Sequence, residues 1–227
     1  WCKDENLISE ITEIMKESKS RDMLHVVSVE GHGKYPTEQV FANPYTTITM
    51  KDGFDNKNNE LKWKFEYYVN ECHEMDTFIG NLLDAINKLD EPTVVLIYGD
   101  HIPALDVTEK MYAAPDLYTT EYVIWDNFGL TRKDKDTTSW QVGADVLAAA
   151  GLKNEGVIFD YQQSNNEKTD KTYMDDLETL AYDIMYGKYY AFGGKNPYEA
   201  VDMKMGHKQI KIKEIIKIGD RYYIKGN

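Results

Sequence analysis

The chain has 227 residues with a hydrophobic fraction of 42%, which suits one large α/β domain or one domain with a small appendage. Its formal net charge of −13 argues against non-specific binding to nucleic acid or anionic lipid. Two cysteines, Cys2 and Cys72, are too few for a disulfide scaffold, and no run of about 18 apolar residues is present to span a membrane.

The first half of the chain is predicted to form a β-α-β unit. Apolar residues at helical spacing predict a short helix over residues 4–18, and an apolar run predicts a strand over 23–29. Residues 60–89 carry the longest helical pattern, and 93–98 form a second apolar run. Because strands joined by a crossover helix are parallel and the crossover is right-handed, we expect an α/β fold with a mostly parallel sheet.

An acid and a histidine follow the second apolar run directly. Gly99 ends that run and permits a sharp turn, and Asp100 and His101 come next. Ligands in open α/β sheets bind just beyond the carboxyl ends of the strands. A carboxylate beside an imidazole suits Zn²⁺ or Mn²⁺. The alternative is structural, with Asp100 capping the next segment and His101 lying in a loop.

A second histidine follows the first predicted strand. His32 lies between Gly31 and Gly33, and the two glycines permit close approach of a ligand. In a parallel sheet His32 would reach the same edge as Asp100 and His101. The alternative is a glycine-rich turn that carries a surface histidine.

The second half of the chain is predicted to be mixed, and it ends in a hairpin. The predicted elements are a strand over 122–125, a helix over 139–150 capped by Ser139, a loop over 160–172, a helix over 175–187, and hairpin strands over 210–218 and 222–224. We expect the hairpin to add an antiparallel edge to the main sheet. Residues 1–206 then form the main domain, and 207–227 form the hairpin edge or the start of a following segment.

Three segments resemble the sulfatase-like domain of bacterial lipoteichoic acid synthases and related phosphoglycerol transferases. They are residues 27–36 (VSVEGHGKYP), 95–101 (VLIYGDH) and 183–190 (DIMYGKYY). The resemblance implies an alkaline-phosphatase-like α/β/α sandwich and a divalent metal, most often Mn²⁺, with Zn²⁺, Mg²⁺ and Ca²⁺ as alternatives. It also implies that Asp100 and His101 are metal ligands and that His32 contacts the phosphoglycerol group of the substrate.

The resemblance further implies an enzyme outside the cell that moves phosphoglycerol from a phosphatidylglycerol-type lipid to a growing polymer. The family's nucleophilic threonine and a further acidic ligand are expected before Trp1, on the membrane-anchored parent protein. We therefore expect this chain to be the carboxyl-terminal portion of the catalytic domain, inactive alone, and to self-associate or need its amino-terminal half. The alternatives are a sulfatase or phosphatase that hydrolyses a soluble ester, and a non-catalytic binding domain that keeps the fold.

Overall fold

The computed structural model describes residues 2–51, 59–111, 113, 117–153, 156–166, 168, 170–198 and 211–226. The helices and strands in these ranges make a mixed α/β protein. They are α1 (Leu7–Glu17), α2 (Glu60–Asn87), β1 (Val94–Tyr98), β2 (Tyr122–Asp126), α3 (Val142–Ala149), α4 (Val157–Ser164), α5 (Lys171–Tyr186), β3 (Ile212–Ile218) and β4 (Arg221–Gly226). No helix in the described ranges is both long and apolar enough to cross a membrane.

The two predicted amino-terminal helices are confirmed. A 3₁₀ turn over Asp4–Asn6 leads into α1, and α1 packs on the 28-residue α2. Phe78 and Ile86 are buried on α2, because their helical spacing places both on the side that faces the protein. After α2 the chain turns through Asp90, whose φ of 55° is left-handed, and then enters β1.

The predicted strand over residues 23–29 is wrong. That segment forms no strand, and Met23 and Val27 are 91% and 65% exposed. A strand is stable only when a neighbour completes its hydrogen bonds, and no strand of the described residues lies beside this segment. β1 is instead antiparallel to β2, with Val94 opposite Asp126 and Tyr98 opposite Tyr122. The parallel β-α-β unit is therefore not confirmed.

The carboxyl-terminal helices differ from the predicted pattern in two places. Residues 157–164, partly assigned to a loop because they are polar, form α4. A polar contact accounts for this helix. Gln162 is 2% exposed, and its side-chain amide donates to the Trp140 backbone carbonyl at 2.6 Å. Ser139 does not cap α3, which begins after Gln141. The predicted helix α5 is confirmed, and the Asp170 carboxylate caps it by accepting from the Tyr173 amide at 3.0 Å.

The predicted hairpin is confirmed as β3 and β4, joined through Gly219 and Asp220. It forms its own two-stranded sheet and does not extend the β1–β2 pair. The predicted boundary at residue 206 lies outside the described residues. Cys2 and Cys72 are both free thiols.

Ile86→Ala should lower the free energy of unfolding by about 2–4 kcal/mol, because a side chain only 3% exposed is removed from the α2 packing. The matched control is Ile215→Ala on the hairpin, where the side chain is 62% exposed and a change of less than about 0.5 kcal/mol is expected. Urea unfolding followed by circular dichroism measures both. Equal losses in the two variants would contradict this placement of the core.

Candidate functional site

The end of β1 presents Asp100 and His101 to solvent. Two hydrogen bonds fix the backbone of Gly99. Its amide donates to the Glu121 backbone carbonyl at 3.2 Å, and its carbonyl accepts from the Thr120 hydroxyl at 2.7 Å. The side chains of Asp100 and His101 are 74% and 58% exposed. Both therefore project beyond the strand, as the sequence predicted, although the strand belongs to an antiparallel pair.

The two side chains are spaced as ligands of one ion would be. The Asp100 Oδ1 and His101 Nε2 atoms are 3.6 Å apart. Two atoms bound about 2.1 Å from one tetrahedral ion lie about 3.4 Å apart. His101 Nδ1 is 2.9 Å from the Ile102 carbonyl, which can only accept, so Nδ1 carries the hydrogen and the Nε2 lone pair is left for a ligand.

His32 reaches the same place from a different segment. Its amide donates to the Val29 carbonyl at 3.1 Å, which closes a tight turn, and its Nδ1 lies 2.7 Å from the Gly33 carbonyl. The His32 and His101 ring centroids are 5.8 Å apart, edge to face. The structure thus brings together all three residues that the sequence singled out.

A groove of about 430 Å³ runs past the two histidines. Its lining residues are His32, Gly33, Lys34, Tyr35, Thr37, Lys64, His101 and Ala104. The lining contains two lysines and no carboxylate, although one of the lysines, Lys64, pairs with Asp106. Such a groove favours an anionic group.

Sequence reasoning missed the lysines. Lys34 is two residues from His32, and this proximity was an available signal. Lys64 lies on α2, where only the apolar stripe was considered, and nothing in the local pattern separates it from a solvated surface lysine. It is the fold that places Lys64 beside the histidines.

Two buried carboxylates hold the His32 turn in place. Asp4 and Glu30 are 2% and 3% exposed. The Asp4 carboxylate accepts from the amides of Val29 at 3.2 Å and Glu30 at 3.4 Å, and the Glu30 carboxylate accepts from the Asp4 amide at 2.9 Å. This reciprocal pair joins the start of α1 to the residues just before His32.

Lys3 supplies a positive charge to the buried Glu30 carboxylate. Its ammonium lies 2.6 Å from Glu30 Oε1 and also pairs with Glu74. Burial alone would raise the pKa of Glu30, but the bonds from Lys3 and the Asp4 amide outweigh burial and lower it. Burial, with the nearby Glu74 and Glu30 charges, raises the pKa of Glu71 despite the attraction of Lys3.

A hydrogen bond within the segment and a close contact with α2 also support the turn. The Tyr35 hydroxyl donates to the Gly31 carbonyl at 3.0 Å, and Tyr35 itself is 8% exposed. A Cβ on Gly31 would lie 2.4 Å from the sulfur of Met75, so glycine permits the turn to approach α2 this closely.

Comparison with known proteins gives a family and one distant relative. Residues 1–152 match the Sulfatase family. A protein of Rhizobium meliloti (strain 1021), provisionally named as a cyclic β-1,2-glucan modification protein, is 23% identical over 230 residues. That match covers 84% of this chain and 35% of the relative. No solved structure matches the chain.

Asp4→Ala should lower the free energy of unfolding by about 1–3 kcal/mol, because two amides lose their buried acceptor. It should also speed hydrogen exchange at the amides of Val29 and Glu30 more than elsewhere. Glu5→Ala, at the exposed neighbouring position, serves as the control. Unchanged exchange at both amides in Asp4→Ala would show that the turn does not depend on this carboxylate.

Glu71→Gln should become more stabilising, relative to the natural chain, as the pH rises from about 4 to 7. Because the folded pKa of Glu71 lies above its usual 4.5, its contribution to stability is full below that value and is lost as the pH rises through the folded pKa. Glutamine does not titrate and escapes this loss. Urea denaturation at several pH values measures the difference, and a difference independent of pH would contradict the burial argument.

Proposed function

Because the chain belongs to the sulfatase family, we propose that it contributes the metal-binding and substrate-binding groove of an enzyme that acts on phosphate or sulfate esters. More specifically, we propose the transfer of phosphoglycerol from a phosphatidylglycerol-type lipid during synthesis of a cell-envelope polymer outside the cell. The observation that carries the proposal is that His32 and His101 line one groove with two lysines, while Asp100 Oδ1 lies 3.6 Å from His101 Nε2.

The residues present fit a divalent metal. The family is generally metal-dependent. The 3.6 Å spacing of Asp100 Oδ1 and His101 Nε2 and the backbone bond at His101 Nδ1 are what a metal-binding pair requires. Within the described ranges no group of three or more acid, histidine or cysteine side chains could hold an ion. Since catalytic zinc sites have three protein ligands, we propose weak binding by this chain, with Mn²⁺ as the preferred ion.

The residues of the groove suit displacement at phosphorus or sulfur. A bound divalent ion supplies charge neutralisation at the ester oxygens. Lys34 and Lys64 add positive charge where the ester oxygens would lie, and His32 offers Nε2 to the substrate. In its protonated form His32 donates a hydrogen bond to the leaving oxygen. We assign no nucleophile among the residues of this chain.

Ester hydrolysis is the second candidate, and family membership favours it as much as it favours transfer. The segment VLIYGDH at 95–101 and the segment around His32 favour the transferase, by their resemblance to phosphoglycerol transferases. The Rhizobium relative is named for modification of a cyclic glucan, and this name supports a polymeric acceptor in the proposed reaction. Both candidates use the same groove and differ in the acceptor, which is a polymer hydroxyl in one and water in the other.

The metal assignment is tested by titrating Mn²⁺ into the 227-residue chain in a calorimeter. The natural chain should bind weakly, and Asp100→Ala and His101→Ala should each abolish the heat of binding. Asp134→Ala is the control, because that carboxylate is equally exposed, at 81%, and pairs with Arg132. Binding that survives both site substitutions would show that the Asp-His pair is structural.

The reaction is tested in the full-length gene product, because the match covers only 35% of the relative's length. Transfer predicts release of diacylglycerol from phosphatidylglycerol, and hydrolysis predicts turnover of a soluble aryl phosphate or sulfate. His32→Ala should lower kcat by about 10²–10⁴, the contribution of a positioned proton donor. Turnover of none of these substrates by the metal-loaded protein would favour a non-catalytic binding domain.

Self-association of the isolated chain stays a prediction. Size-exclusion chromatography at several concentrations tests it, and one monomer peak throughout would contradict it.

A further inference from the structure

Lys64 differs from Lys34, the other lysine of the groove, in how it is held. Lys64 lies in the second turn of α2, its side chain is only 22% exposed, and it lines the groove beside His32 and His101. Its ammonium is paired with the carboxylate of Asp106, which is 69% exposed. Lys34 also lines the groove, but its side chain is exposed.

We propose that Lys64 is an oxyanion-binding residue of the groove and that Asp106 is an internal stand-in for the anion, displaced when a phosphate or sulfate group binds. The proposal rests on the proposed function, since it takes the ligand of the groove to be an oxyanion. It adds an oxyanion-binding lysine and a competing carboxylate that the sequence motifs do not indicate.

The burial of the two partners decides which one moves. Lys64 is fixed on a 28-residue helix and is largely covered, so its ammonium must keep an anionic partner. Asp106 regains hydration readily when it leaves, because most of its side chain is already in water. Because the pair is open to water on its Asp106 side, exchanging that carboxylate for another anion costs little. A phosphate dianion also offers more charge and more acceptors than a carboxylate.

The backbone beside Asp106 is held in place independently of the Asp106 side chain. Asp106 lies five residues after His101 and takes a left-handed φ of 56°. Leu105, next to it, is 3% exposed and donates its amide to the Pro103 carbonyl at 2.9 Å. Leu105 therefore anchors the loop, and the Asp106 side chain can leave Lys64 while the backbone near His101 stays in place.

The test is a double-mutant cycle on anion binding by the 227-residue chain, without divalent metal and at fixed pH and ionic strength. Inorganic phosphate and sulfate are titrated by NMR, with the His32 and His101 ring signals as reporters. The variants are Asp106→Asn, Lys64→Gln, the double variant and Lys34→Gln. Circular dichroism and thermal unfolding show that each variant is folded.

Asp106→Asn should tighten anion binding about two- to fivefold, since it removes a carboxylate that competes with the anion for Lys64. Lys64→Gln should weaken binding about tenfold or more through loss of a charge-assisted hydrogen bond. In the Lys64→Gln background, Asp106→Asn should give no gain in affinity for the anion. In the Lys34→Gln background the gain should persist, because Lys34 does not pair with Asp106.

Three results would overturn the proposal. They are absence of detectable anion binding, weaker binding in Asp106→Asn, and a gain from Asp106→Asn that survives in Lys64→Gln, which would indicate only a general change of charge. The measurement uses neither metal nor turnover. A coupled cycle together with failed Mn²⁺ binding would therefore reject the proposed function alone, and the reverse pattern would reject this inference alone.

Discussion

The reciprocal hydrogen bonds between Asp4 and Glu30 are the constraint on which the site depends. The segment that leads to His32 has no neighbouring strand within the described part of the chain, so a sheet does not fix where it ends. Asp4 and Glu30 fix it instead, each accepting from the backbone of the other's segment. Carboxylates buried to 2% and 3% exposure require such bonds, and Lys3 adds a compensating charge at Glu30.

The sequence singled out residues that the structure brings together, but it did not predict the architecture that brings them together. Asp100, His101 and His32 could be singled out because glycines beside metal-binding or proton-carrying side chains form a local pattern. The parallel sheet could not be inferred from residues 23–29. An apolar run indicates that a segment is buried, but it does not indicate which strand, if any, pairs with it. The pairing of β1 with β2 depends on residues distant in sequence.

The helices and the hairpin were predictable for a related reason. Helix α2 and the β3–β4 hairpin are specified by periodicity and by turn residues, which are local. Helix α4 was missed because its burial involves Gln162, and a glutamine that finds a buried carbonyl looks like a loop residue in the sequence. Lys64 and the Asp4–Glu30 pair were missed because both act through contacts between separate segments.

The proposed function requires a chain that is acidic overall to bind an anionic ester. With a net charge of −13, the long-range field repels phosphate and sulfate, so recognition must come from short-range contacts. Lys34, Lys64 and two imidazoles supply those contacts within one groove. Asp106, which pairs with Lys64, is 69% exposed, so it screens Lys64 without burying a negative charge. In the proposed exchange, Lys64 pairs either with Asp106 or with an oxyanion, which would allow an oxyanion site on a chain of this charge.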